Sequence, residues 1–181
     1  VIFVLMKFLK IYSNKLLVSG TSSGSGATLT DGTQSFLTSV KVGDVVWSTA
    51  GTESATILSI QSNASLTMSK TVGGALAYNI YSATQYENAR MIIVDKIIGF
   101  KAENASNSID IIYAPNSSTD NIRIFTTENT ILSKTEMALN AFIEEAINSV
   151  KNKPENTIEV KFPVTTTAAG SFAVRSVAPS T

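Results

Sequence analysis

The chain has 181 residues, enough for one medium domain or two small ones, and with 44% hydrophobic residues it can fold around a core without covalent staples. It carries 14 basic and 14 acidic residues, no His and no Cys, which excludes disulfides, thiolate chemistry, Cys/His zinc sites and His general-base catalysis. Zero formal net charge removes the field that would draw it to nucleic acid or an anionic membrane, so neither partner is expected.

Charged residues make up only 15%, against about 25% in ordinary proteins. Ser, Thr and Asn therefore carry the polar surface, and these suit strands, turns and interfaces. Near-neutrality also leaves little repulsion between copies and tolerates dense self-assembly.

Val1 to Leu5 is wholly apolar and runs into Met6-Lys7-Phe8-Leu9-Lys10-Ile11-Tyr12. A membrane-spanning helix needs about 20 apolar residues, and Lys7 interrupts this run. A signal peptide would place its basic residues first and end in small ones, which this segment does not. Met6-Lys7 reads like a natural initiator; if the first five residues belong to the protein, they form an apolar arm expected to pair with a neighbour's sheet edge.

Residues 1–20 then read as arm and first strands, with Phe8 to Ile11 and Leu16 to Val18 flanking a turn at Ser13-Asn14-Lys15. Residues 21–84 read as a small β-barrel or sandwich. They open on a Gly/Ser-rich loop, Ser19 to Gly26, which lacks the Gly-Lys-Ser/Thr end of a phosphate loop and reads as a mobile connection. Phe36-Leu37 precedes a β-rich run at Val40 to Trp47, broken by the turn signal Gly43-Asp44. Ala55 to Ile60, the alternating Ser65 to Ser69, and Tyr78 to Tyr81 follow as further strands. Trp47 is expected to plug the core or one end of the barrel.

Residues 88–181 read as an α+β part with one helix at about 134–151. Met91 to Val94 and Ile97 to Phe100 flank Asp95-Lys96, and Ser108 to Tyr113 and Asn121 to Phe125 are strands. Ser133 and Glu136 form a capping box. Leu139, Phe142, Ile143, Ala146, Ile147 and Val150 then make one apolar stripe, opposite Asn140, Glu144, Glu145, Asn148 and Lys151. Pro154 ends the helix, Thr157 to Phe162 should return to the sheet it covers, and Phe172 to Val177 supplies a last strand. The fold class is thus mainly β with one helix.

Without His or Cys, catalysis would rest on carboxylates, Lys, Tyr or Ser. Asp31, Asp44 and Asp120 sit in turns, and the adjacent Glu144 and Glu145 do not face one another on a helix. Ser69-Lys70 and Ser133-Lys134 supply the letters of Ser-Lys catalysis at a strand end and a helix cap, without specific spacing. No calcium loop of alternating acids appears. Lys41, Trp47, Lys70, Tyr78 and Tyr81 offer a little of what single-strand binders use, but the basic excess is missing. The sequons at Asn63, Asn104 and Asn116 are expected by chance in so Asn/Ser-rich a chain. No catalytic, cofactor-binding or metal residue is assigned, no cofactor is expected, and the chain reads as a non-enzyme.

The stretches Val42 to Trp47 (preceded by Phe36), Ala55 to Ile60, Ser65 to Ser69 and Tyr78 to Tyr81 together resemble a β-module of structural proteins from marine and gut tailed bacteriophages. That resemblance spans about half the chain and concerns strand and turn layout. It implies a virion component (capsid decoration, minor capsid or head–tail protein) whose partners are other virion proteins and copies of itself. The alternative is a carbohydrate- or receptor-binding β module on a virion or cell surface, which exposed Tyr or Trp along a groove would favour.

Overall fold

The computed structural model describes residues 6–24, 26–49, 54–72, 77–103, 108–113, 122–127, 135–152, 156–161, 165–167 and 170–179. The protein is mainly β with one long helix, as its strand periodicities predict. Its frame is two long antiparallel strands, β1 (Phe8–Thr21) and β6 (Ala77–Ile93). Around their far ends lie β2 (Thr28–Thr30), β3 (Val45–Ser48), β4 (Ser54–Ser62) and β5 (Ser65–Met68); a one-turn helix, α1 (Phe36–Ser39), precedes β3. Beyond β6 come β7 (Ile97–Glu103), β8 (Ser108–Tyr113), β9 (Ile122–Thr126), helix α2 (Thr135–Asn152), β10 (Thr157–Lys161), the short pair β11 (Thr165–Thr167) and β12 (Gly170–Phe172), and β13 (Val174–Pro179).

One seven-stranded sheet runs β10-β1-β6-β3-β4-β5-β2, and a second, four-stranded sheet runs β13-β9-β8-β7. The first curls into a small barrel at its β2 end: Ser23 N–H donates to Thr30 O at 2.9 Å, bringing β2 back to the chain just beyond β1. The barrel core contains Val18, Leu29, Phe36, Val46, Ile57, Leu66, Tyr78 and Ile80, with the Phe36 and Tyr78 rings 6.5 Å apart. The second core gathers Leu9 and Ile11 of β1, Ile92 of β6, Val160 of β10, Ile109, Ile111, Ile122 and Ile124 of the second sheet, and Ile143 and Ile147 of α2.

Two expectations fail along the frame strands. Ser13-Asn14-Lys15 is no turn but the middle of β1, and residues 84–88, where two parts had been separated, lie inside β6. Both strands are kinked instead. Tyr12 pairs with Ala89 and Ser13 with Glu87, leaving Asn88 as the extra residue of a bulge, with φ of +44°. Asn tolerates that left-handed backbone better than most residues. Past the bulge Ser13 and Asn14 are both buried, so the alternation of β1 breaks and the strand feeds one core with Leu9 and Ile11 and the other with Val18.

Thr157 to Phe162 returns, in its described part, to the sheet that α2 covers: β10 pairs in parallel with β1, with Phe8 opposite Thr157 and Tyr12 opposite Lys161. Helix α2 is the crossover before it, and its Ile143 and Ile147 are buried while Glu144, Glu145, Asn148 and Lys151 are exposed. The capping box at Ser133 and Glu136, the side chains of Leu139, Phe142 and Val150, Pro154, and residues 1–5 lie outside what the structure describes. The Gly/Ser loop is pinned in its described part, since Ser22 Oγ accepts the Gly24 and Thr30 amides.

Candidate functional site

Each buried carboxylate among the described residues is committed to holding the fold. Asp31 follows β2 and accepts the Thr33 amide (3.0 Å) and hydroxyl (2.6 Å) on one oxygen, and the Tyr78 hydroxyl at 2.8 Å on the other. Burial pushes its pKa up, but the hydrogen bonds from Thr33, Tyr78 and Gln34 outweigh this and leave it below the usual carboxylate range. For Tyr78, burial and the Asp31 carboxylate both push the phenol far above its ordinary value. Gly20, opposite Tyr78 in the ladder, makes room for this pair, because a Cβ there would run into the Asp31 carboxylate and the Tyr78 hydroxyl.

Asp44 closes its own turn by accepting Lys41 N–H at 2.8 Å, and reaches across to Ala83 N–H of β6 at 2.8 Å. Gly43 before it has φ of +96°, which is why the turn needs glycine. Asp110 meets Arg123 in a fork of two bonds at 2.7 and 2.8 Å between β8 and β9. Glu144 and Glu145 are exposed on α2, Ser69 Oγ accepts the Thr56 amide beside Lys70, and Lys41 is exposed at the turn. The structure does not bring these groups to one place. Asp120, Ser133 and Lys134 lie outside the described residues. No group of three or more His, Cys, Asp or Glu able to hold a metal occurs among the described residues, and no described helix is long and apolar enough to cross a membrane.

Trp47, Tyr78 and Tyr81 are buried, so they form no exposed platform for sugars or bases. Trp47 is not in the barrel core; with Val45, Tyr81 and Ala173 it forms a third cluster where the C-terminal strands cross the frame. There Arg175 lies 4.2 Å from the Trp47 ring and 5.6 Å from Phe125, and its Nε donates to Thr126 O at 2.7 Å. Burial lowers the pKa of this guanidinium.

The same seam is stitched by polar groups. Asn14 Nδ2 donates to Ser82 O at 3.0 Å while its Oδ1 accepts Val174 N–H at 2.8 Å. Thr127 donates its hydroxyl to Ser54 Oγ and accepts Ala173 N–H. Trp47 Nε1 in this seam, and Ser48 Oγ on the barrel side of β3, are buried with no hydrogen-bond partner among the described residues. Neither Asn14 nor Arg175 stood out in sequence. An Asn in the middle of a β-rich run was the available signal, and it reads equally well as a turn.

The surface best suited to a partner lies at the other end of the large sheet. β10 is its outermost strand, and a groove of about 210 Å³ runs between it and α2, lined by Ala146, Ser149, Ile158 and Val160 with Glu145 and Glu159 among its polar groups. On β10, Glu159 accepts the Tyr12 hydroxyl at 2.8 Å and pairs with Lys161 at 3.1 Å and Lys10 at 3.6 Å. The Tyr12 bond, then Lys161 and Lys10, hold Glu159 below its ordinary pKa. Both ammonium groups also sit over the Tyr12 ring, at 4.9 and 5.1 Å.

No protein-family model matches the chain, and no curated protein and no solved structure is significantly similar to it.

Proposed function

We propose that the protein is a structural component of a bacteriophage virion, acting by contact with other virion proteins and with copies of itself, as a capsid decoration, minor capsid or head–tail protein. The observation that carries this reading is how the described ionisable side chains are used. Asp31, Asp44 and Asp110 each tie a turn or strand to a neighbour, and Arg175 clamps the seam. Such groups make a rigid body rather than a cleft where reactive groups converge. Among the described residues the large sheet ends at β10 with a groove beside it, a surface that suits assembly. The resemblance of Phe36 to Tyr81 to phage β-modules adds the virion context.

Mass spectrometry of purified particles tests the proposal. The expected result is this chain present at a fixed, multiple copy number per particle. Its absence from particles whose host cells express it would end this reading.

A further inference from the structure

Within the large sheet, β6 outruns its neighbour β3. β3 pairs only with Tyr78 to Tyr81, and no described strand lies on that side of the stretch from Ala89 to Ile93. Residues 77–103 are described without a break, and Ala89, Arg90 and Met91 are exposed. The ladder with β1 fixes where the backbone groups of this stretch point. Val94 N–H donates to Lys7 O, while Phe8, opposite Ile93, gives its own N–H to Asn156 on the β10 side. In an antiparallel pair, successive residues face the partner strand and away from it by turns. Arg90 and Ile92 thus face β1, whereas Ala89, Met91 and Ile93 aim N–H and C=O away from it, where the described sheet has no neighbour.

We infer that this edge pairs with the same edge of a second copy, antiparallel about a two-fold axis through Met91. That register sets Met91 opposite its own counterpart and Ala89 opposite Ile93 of the other copy. The outward residues of the two copies then exchange about six main-chain hydrogen bonds. The side chains favour a second copy as the occupant. Ala89 is exposed, Met91 is 57% exposed and Ile93 is half-buried, so an apolar strip meets an apolar strip. Arg90 turns to the core face, where its Nε donates to Val177 O, and in this register it meets Ile92 of the other copy rather than itself. Glu87, Arg90, Asp95 and Lys96 around the strip supply two charges of each sign, so no field of one sign holds two copies apart.

The ends of the strip make the contact finite. No proline and no bulge interrupts Ala89 to Ile93, but the bulge at Asn88 stops the ladder on one side and the 3-10 turn at Val94–Lys96 on the other. An edge that pairs with itself closes as a dimer and does not grow into a fibre. The inference deepens the structural reading by naming a surface through which copies meet; it rests on that reading for its purpose and on β6 for its geometry.

Sedimentation velocity of the purified full chain is the test. The chain should pass from monomer to dimer as its concentration rises through the micromolar range. Met91→Lys sets two ammonium groups opposite each other across the axis, each beside Lys10 of its own β1. This variant should stay monomeric with an unchanged circular dichroism spectrum, because Met91 lies outside the core. Fluorescently labelled Met91→Lys copies should enter a dimer again when copies carrying Met91→Glu are added, since opposite charges then face one another. A chain that is monomeric throughout, a dimer that persists in Met91→Lys, or a mixture in which the labelled copies stay monomeric overturns the inference. Particle mass spectrometry does not depend on the β6 edge, so this pairing and the virion reading can each fail alone.

Discussion

Asn14, in the middle of β1, accepts the backbone N–H of Val174, 160 residues further along the chain, at 2.8 Å. Its amide nitrogen meanwhile donates to Ser82 O of β6, so one buried side chain bonds the frame strand to the C-terminal strand. Opposite the bulge at Asn88, Ser13 and Asn14 are both buried.

Asn14→Ala removes both bonds and leaves a buried amide and carbonyl without partners, each costing about 1–3 kcal/mol. The expected loss is roughly 2–4 kcal/mol in urea unfolding. A loss below about 0.5 kcal/mol would show that water replaces the side chain.

Ser48→Ala should behave in the opposite way. The Ser48 hydroxyl is buried without a partner among the described residues, so removing it relieves a desolvated group. Stability is expected to stay level or rise by up to about 1 kcal/mol. A clear loss in the same unfolding experiment would mean the hydroxyl has a bound partner.

The Asp31–Tyr78 pair sets a pH dependence at both ends. Asp31 titrates below its unfolded value, so its contribution is present above the ordinary carboxylate pKa and is lost as pH falls through the folded one. Melting temperature should drop in acid, and Asp31→Asn should flatten that drop while lowering stability near neutral pH. Tyr78 titrates above its unfolded value, so its contribution is complete below the ordinary phenol pKa and is lost as pH rises beyond it. Tyr78→Phe removes a buried bond to a charged acceptor, at a cost of about 1.5–3 kcal/mol near neutral pH.

Trp47 is the chain's one tryptophan, so its emission reports the seam. Arg175→Ala uncovers the ring and removes the bond to Thr126 O. Emission should shift to longer wavelength, with a loss of about 2 kcal/mol from packing, the stacked cation and the hydrogen bond together. Arg175→Lys keeps the charge without the planar fork and should recover only part of this. An unchanged spectrum in Arg175→Ala would show that the stack is not formed.

Asp110 and Arg123 are opposite each other in the β8–β9 ladder, joined by two bonds, with the Asp110 carboxylate mostly buried. Asp110→Ala removes the carboxylate that takes both guanidinium bonds and should cost about 3 kcal/mol. A double replacement by Val and Leu should cost much less, because no charge is then left unpaired. Equal losses in the single and double variants would mean that the pair is not coupled.

Local pattern is what the sequence determined by itself: the alternation at Ser65 to Met68, the turn at Gly43-Asp44, the amphipathic helix that buries Ile143 and Ile147, and the mainly β class. Side-chain periodicity and turn chemistry act over a few residues, so they can be read without knowing the neighbours. Tertiary structure alone decided that β1 and β6 run on through both cores, that β1 is the strand β10 pairs with, and that Trp47 belongs to the seam with Arg175. Strand partnership is set by backbone hydrogen bonds between distant segments, and those bonds are chemically identical at every residue. Which strand lies beside which, and therefore which edge stays open, depends on how the whole chain packs.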